Sequence, residues 1–186
     1  MGVPFKPLRV KLIIGLISLD TALFEKAEKI LNRKFGKIDE ISPHWDFKQT
    51  NYYEKEMGKN LKRVFLSFEK LIEANQLINI KHFTNKLELK LAKNNKKRNI
   101  NIDPGYITLS KLILATTKNF SHRIYVGDGI FEEITLFFRD NSFCFGALTY
   151  PDYRQQSYID FFNKIRKNYY IQLQNRYGLS QLYRCA

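Results

Sequence analysis

The chain has 186 residues, with 31 Lys and Arg against 18 Asp and Glu, for a formal charge of +13. At 44% apolar and 15% aromatic it carries enough apolar surface for a core, which excludes a wholly disordered chain. No run of about 18 apolar residues occurs, which excludes a membrane-spanning helix. The length suits one globular domain, with a core over about 8–174 and a C-terminal tail over 175–186.

Val10 to Ser18 is a continuous apolar run, fit for a buried central strand rather than a secretory leader, because Gly15 and Ser18 interrupt it and Asp20 ends it. Asp20 can cap the helix that follows, whose apolar stripe is Leu23, Phe24, Ala27, Ile30, Leu31 and Phe35, and Gly36 stops it. Ile38 to Phe47 reads as extended, with Pro43 confining it to an edge or bulge. Tyr52 to Met57 and Arg63 to Phe68 read as strands, with Gly58, Lys59 and Asn60 as the turn between them. Leu77, Ile80, Phe83, Thr84, Leu87 and Leu91 mark a second helix, ended by Asn94 and Asn95. Asn99 to Ile102 is a short alternating strand that Asp103-Pro104-Gly105 closes as a turn. Tyr106 to Thr117 fits a helix capped by Thr108 or a strand; the helix is favoured. His122 to Val126 and Ile130 to Arg139 form a hairpin around Gly127-Asp128-Gly129. Asp140-Asn141 turns into Ser142 to Leu148, and Tyr150-Pro151-Asp152 leads into a last helix with the stripe Ile159, Phe162, Ile165, Tyr169 and Leu173. The expected fold is a single α+β domain, with a mixed or mostly antiparallel sheet and about three main helices packed on it.

The two cysteines, Cys144 and Cys185, have no second ligand nearby and read as free thiols in a reducing cytoplasm. The charge is uneven. Residues 1–100 carry 21 positive and 11 negative groups, residues 101–150 carry 4 and 5, and residues 151–186 carry 6 and 2. The densest basic stretch is Lys86, Lys90, Lys93, Lys96, Lys97 and Arg98, which reads either as an RNA phosphate-binding face or as the solvated end of a helix.

Most polar candidates for a site lie in the neutral middle. In the hairpin, alternation puts Arg123 and Tyr125 on one face and His122, Ile124 and Val126 on the other. A three-residue loop sets Arg123 opposite Glu133 and Ile124 opposite Glu132, whereas a two-residue loop shifts the pairing by one and sets Glu132 opposite Tyr125; in both an acid lies within diagonal reach of Arg123. Glu132 shares its face with Ile134, Leu136 and Phe138, an apolar setting that raises a carboxyl pKa. His122, beside Arg123, is suited to proton transfer or to a structural role. Asp103 ends a strand, where sites collect, or simply makes a turn. Asp152 can cap the last helix, and Arg154 can grip a phosphate or carboxylate. Lys118 adds a cation after Thr116-Thr117. A metal set of His44, Asp46, Asp103 and His122 is conceivable, but no spacing enforces it. No phosphate-loop glycine motif, nucleophile elbow or His-Glu-x-x-His occurs.

Several ordered motifs run together: Tyr53-Glu54-Lys55-Glu56-Met57-Gly58, Leu61-Lys62-Arg63, Phe65-Leu66-Ser67-Phe68-Glu69, and Thr84-Asn85 with Glu88. They continue with Asn101-Ile102-Asp103-Pro104-Gly105-Tyr106, Ala115-Thr116-Thr117-Lys118, Ser121-His122-Arg123-Ile124-Tyr125, Gly129-Ile130-Phe131 and Thr149-Tyr150-Pro151-Asp152-Tyr153-Arg154. In this pattern, from about Leu12 to Leu173, the chain resembles the uncharacterised bacterial family known as domain of unknown function 4416. Leu148 departs from it, standing where the resemblance implies a Trp. The resemblance implies a single-domain unit and brings no mechanism.

The leading expectation is a pocket for an anionic small molecule or nucleotide, with acid/base chemistry possible. Asp103, His122 and Glu133 are the proton-handling candidates, and Tyr53, Glu54, Lys118, Arg123, Asp152 and Arg154 the binding ones. It requires groups distant in sequence to converge on one concave site. The alternatives are a non-catalytic RNA-binding domain, with one basic face joining Lys86–Arg98 to the last helix, and a scaffold docking through its tail. The residues do not indicate a cofactor or an oligomeric state.

Overall fold

A computed structural model describes residues 3–49, 53–92 and 98–178. Strand β1, Lys11–Ser18, runs through the middle of the sheet and is buried along its whole length. That explains its unbroken apolar run, because both its faces are covered. Leu12, Ile14 and Leu16 face one core, and Ile13 faces the other. Asp20 caps helix α1, Thr21–Phe35, by accepting a hydrogen bond from the Ala22 amide. Gly36, at φ 97°, ends it. The chain returns as β2, Ile38–Ile41, and β3, Trp45–Asp46, interrupted at Pro43 and lying at one edge, as expected.

Tyr52 lies outside the described residues. The remainder of the expected strand there is a one-turn helix, α2, Glu54–Met57, closed by the Gly58 amide on the Glu54 carbonyl. Asn60, at φ 61°, then turns the chain into β4, Lys62–Phe68. Helix α3, Leu77–Leu91, follows; Asn94 and Asn95, expected to end it, fall outside the described residues.

The next segment departs most from expectation. Asp103-Pro104-Gly105 is not a turn but the middle of a long strand, β5, Ile100–Ile107. Tyr106–Thr117 is not helical either. After a turn in which the Thr108 hydroxyl accepts from the Ser110 and Lys111 amides, Lys111–Thr116 forms β6. The threonine expected to cap a helix closes a hairpin instead. Strands β7, Ile124–Gly127, and β8, Ile130–Arg139, make the expected hairpin, and Asp128 and Gly129 supply positive φ at its tip. Asp140 and Asn141 turn into β9, Ser142–Phe145, and helix α4, Gln156–Tyr177, completes the fold.

Every strand pair is antiparallel, in the order β2-β4-β1-β5-β6-β8-β7, with β3 added beside β4 and β9 beside β8. Helices α1 and α3 cover one face, through Leu23, Phe24, Leu77, Ile80 and Leu87. Helix α4 covers the other, where Phe162, Ile165, Tyr169 and Leu173 pack with Ile13 and Phe65. This is an α+β single domain with three main helices. Among the described residues, no helix is long and apolar enough to cross a membrane.

Candidate functional site

β5 and β6 are paired only where Gly105–Ile107 meets Leu112–Leu114. On the other side of that short ladder the two strands part, and a cavity of about 550 Å³ fills the fork. Asn101 and Asp103 line it from β5, and Leu114, Ala115 and Thr116 line it from β6. The sequence builds the fork locally. Gly105 is needed at its base, because a Cβ there would lie 2.2 Å from the Ile113 carbonyl oxygen. The backbone amide of Ile102, two residues before Pro104, points away from β1 and donates to the Glu88 carboxylate of α3 at 2.6 Å. By the same alternation, the position where Pro104 lacks an amide hydrogen faces the open side, so no ladder bond is lost.

Arg63 of β4 and Asp152 form a buried ion pair across the cavity wall, at 2.8 Å, with side chains only 4% and 5% exposed. The guanidinium sits over the rings of Phe47, Phe65 and Tyr153 at 5.2, 5.1 and 5.6 Å. Room for it comes from Gly15, where a Cβ would lie 2.8 Å from Nη1. Gly15 also faces Asp103 on the neighbouring strand, so Arg63 leans across a notch in β1 toward a second carboxylate. Nε and Nη1 of Arg63 are buried with no hydrogen-bond partner among the described residues, as are the hydroxyls of Tyr153 and Tyr158. Unmade bonds of this kind cost folding free energy. Burial would push the Asp103 carboxyl up. Lys81, 3.1 Å away, and Arg63, with the hydrogen bonds from Lys81 and Asn101, overcome it and hold Asp103 below its ordinary value. For Asp152 burial prevails over Arg63, and the carboxyl lies above its ordinary value.

Across the fork, Glu133 of β8 is held by three neighbours. His122 Nε2 lies 3.1 Å and Arg123 Nε 2.8 Å from one carboxylate oxygen, and the Thr135 hydroxyl lies 3.3 Å from the other. A carboxylate only accepts, so Nε2 of His122 is the donor to it; Nδ1 is buried with no partner among the described residues. Arg123 also donates to the Lys118 carbonyl and to the Tyr150 hydroxyl. Burial, with the nearby Glu133 charge, pushes the Tyr150 phenol up to about 12.

A family model described as Domain of unknown function (DUF4416) matches residues 8–169. The chain belongs to this family. No curated protein and no solved structure matches it.

In this DUF4416 domain five of the nine candidate site residues, Asp103, Glu133, Tyr53, Lys118 and Asp152, line one cavity. His122 and Arg123 stand behind Glu133 rather than on the wall. Both reach the same carboxylate because β7 begins only at Ile124, so strand alternation does not govern them. Two candidates lie elsewhere. Glu54 is half-buried on α2, off the cavity wall. Arg154 is turned to the carbonyls of Thr149 and Ala147, at 2.9 and 3.0 Å, and does not face a ligand space. Asp152 does not cap α4, whose N-cap is Gln155; it sits in the preceding 3-10 turn, Pro151–Arg154, with its carboxylate on Arg63.

The expected neighbours of Glu132 also change. Thr135 bulges out between Leu136 and Ile134, which inverts the alternation of β8. Glu133, not Glu132, therefore shares a face with Leu136. Glu132 turns to the Tyr106 hydroxyl, at 3.3 Å, and burial raises its pKa. The four conceivable metal ligands do not meet, since His44 packs edge-on against Phe24 and Asp46 pairs with Lys48 and Lys62. Of the basic stretch, Lys86 and Lys90 are exposed on α3, while Lys93, Lys96 and Lys97 lie outside the described residues. Arg98 is bound to Glu56 and Glu88, at 2.7 and 3.2 Å. Helices α3 and α4 cover opposite faces of the sheet.

Arg63, Lys81, Asn85 and Asn101 line the cavity without having been candidates. Two signals were present. Lys81, Thr84, Asn85 and Glu88 recur at helical spacing, a polar ridge beside the apolar stripe. Arg63 interrupts a strand whose next five residues are all buried.

Proposed function

We propose that this DUF4416 domain binds an anionic small molecule, a carboxylate or a phosphate ester such as a nucleotide, in the fork between β5 and β6. One observation carries the reading: a buried arginine at the cavity wall keeps two guanidinium nitrogens without a partner. A guanidinium is the side chain best shaped for an oxyanion, and its donors are worth most where water is excluded. The Tyr153 hydroxyl and the amide of Asn85 offer further donors to the same ligand. The cavity volume lies in the range of small-molecule sites. Asp103 and Glu133 stand on opposite sides of the fork as groups for proton transfer.

Thermal unfolding and calorimetric titration with inorganic phosphate, sulfate, citrate, AMP and ADP test this reading. At least one is expected to stabilise the protein in a saturable way, by about 2.7 kcal/mol at a hundredfold excess over its dissociation constant. Arg63→Met is expected to abolish that response. If none of these anions binds, or if Arg63→Met binds them as tightly as the wild type, the reading is wrong.

A further inference from the structure

The charges around Arg63 say more about how an anion enters. Arg63 and Lys81 face Asp103 and Asp152, two cations against two anions at one wall of the cavity, with Arg63, Lys81 and Asp152 buried and Asp103 partly so. Of the other charges near the fork, Glu133 is paired with Arg123, while Arg98 is shared by Glu56 and Glu88. Lys118 is exposed on the wall. An oxyanion docked on Arg63 would thus leave the buried group of four with net negative charge, which a low-dielectric site does not tolerate.

We propose that Asp152 takes up one proton from solvent when an oxyanion docks on Arg63, so that the pocket binds its ligand as anion plus proton. The inference rests on the anion reading above and adds the residue that receives the proton. Arg63 is now shared by two acceptors, and the newcomer displaces the carboxylate that has fewer side-chain donors. Besides a backbone amide Asp152 has the Arg63 guanidinium alone, whereas Asp103 is bound by the side chains of both Lys81 and Asn101. The groups facing Asp152 are Arg63 of β4, Asp103 of β5, Tyr158 of α4 and Tyr150 and Tyr153 of its own turn, so among the described residues Arg63 alone is there to hold it ionised. Burial already lifts its carboxyl. Once protonated, Asp152 changes from an acceptor into a donor beside the ligand, the state a general acid needs.

Sulfate is the decisive probe, because it does not titrate between pH 5 and 8 and any proton taken up belongs to the protein. Its affinity for the wild type is expected to fall about tenfold per pH unit between the carboxyl's titration point in the free protein and its higher one in the complex, the slope of one bound proton. In Asp152→Asn that slope is expected to vanish while sulfate still binds. As a check that needs no variant, the infrared difference spectrum on adding sulfate to the wild type should gain a protonated-carboxyl C=O band. Sulfate binding with no pH slope and no such band overturns the proton uptake and leaves the anion reading standing. No binding of sulfate or of the other anions at any pH overturns both.

Discussion

Gly15 is the smallest residue in β1, and Arg63 depends on it. An added methyl at this position meets Nη1 at 2.8 Å and the Phe65 ring at 3.0 Å, and the guanidinium is pinned by Asp152 on its far side. Gly15→Ala is therefore expected to cost about 1–3 kcal/mol in urea unfolding, the usual penalty of overpacking, and to weaken anion binding further by shifting Arg63. A variant that keeps both stability and binding would show that the notch is not needed. Glu132 gives the residue scale a pH test. Its carboxyl is raised by burial, so the folded state holds the proton more tightly than the unfolded chain does. Wild-type stability from this group is present below the ordinary Glu value, about 4.3, and is lost as pH rises through the higher folded value. Glu132→Gln removes that loss while keeping an acceptor for Tyr106. The variant is expected to match the wild type near pH 4 and to exceed it at pH 8 in denaturant unfolding. Equal stabilities at both pH values would contradict the raised carboxyl.

At the scale of elements, the Asp103-Pro104-Gly105 tripeptide shows why local signals misled. Each residue favours a turn, and β1 overrides that preference by pairing Lys11–Ser18 along the whole of β5. The same residues then serve three separate ends, a carboxylate on the cavity, a missing amide at the open edge and a backbone approach at the base of the fork. Gly105→Ala tests the last of these. Its Cβ would meet a backbone oxygen at 2.2 Å, and backbone cannot swing aside as a side chain can. The expected result is a loss of about 3 kcal/mol or more, well above a surface substitution, measured by thermal or urea unfolding. The neighbouring β6 was ambiguous for another reason. Leu112, Ile113, Leu114 and Ala115 are all buried, so the segment lacks the alternation that separates a half-buried strand from a short helix.

For the whole molecule, β1 and the three helices were legible because long apolar runs and stripes reflect burial directly. The site was legible in part. Asp103, Glu133 and Asp152 were found as acids at strand ends and turns, but their partners were not, since Arg63 and Lys81 meet them only through the strand order β4-β1-β5 and the docking of α3. Pairing across 89 and 22 residues of sequence leaves no local trace. The fork carries one more consequence. A sheet that parts in its middle presents an internal edge, and a bare edge invites a foreign strand, as in amyloid growth or domain exchange. Here the Glu88 carboxylate occupies the Ile102 amide and Pro104 has none to offer, so the β5 side of the slit gives no ladder to a passing peptide. The features that open this pocket also keep it from becoming a seam for aggregation.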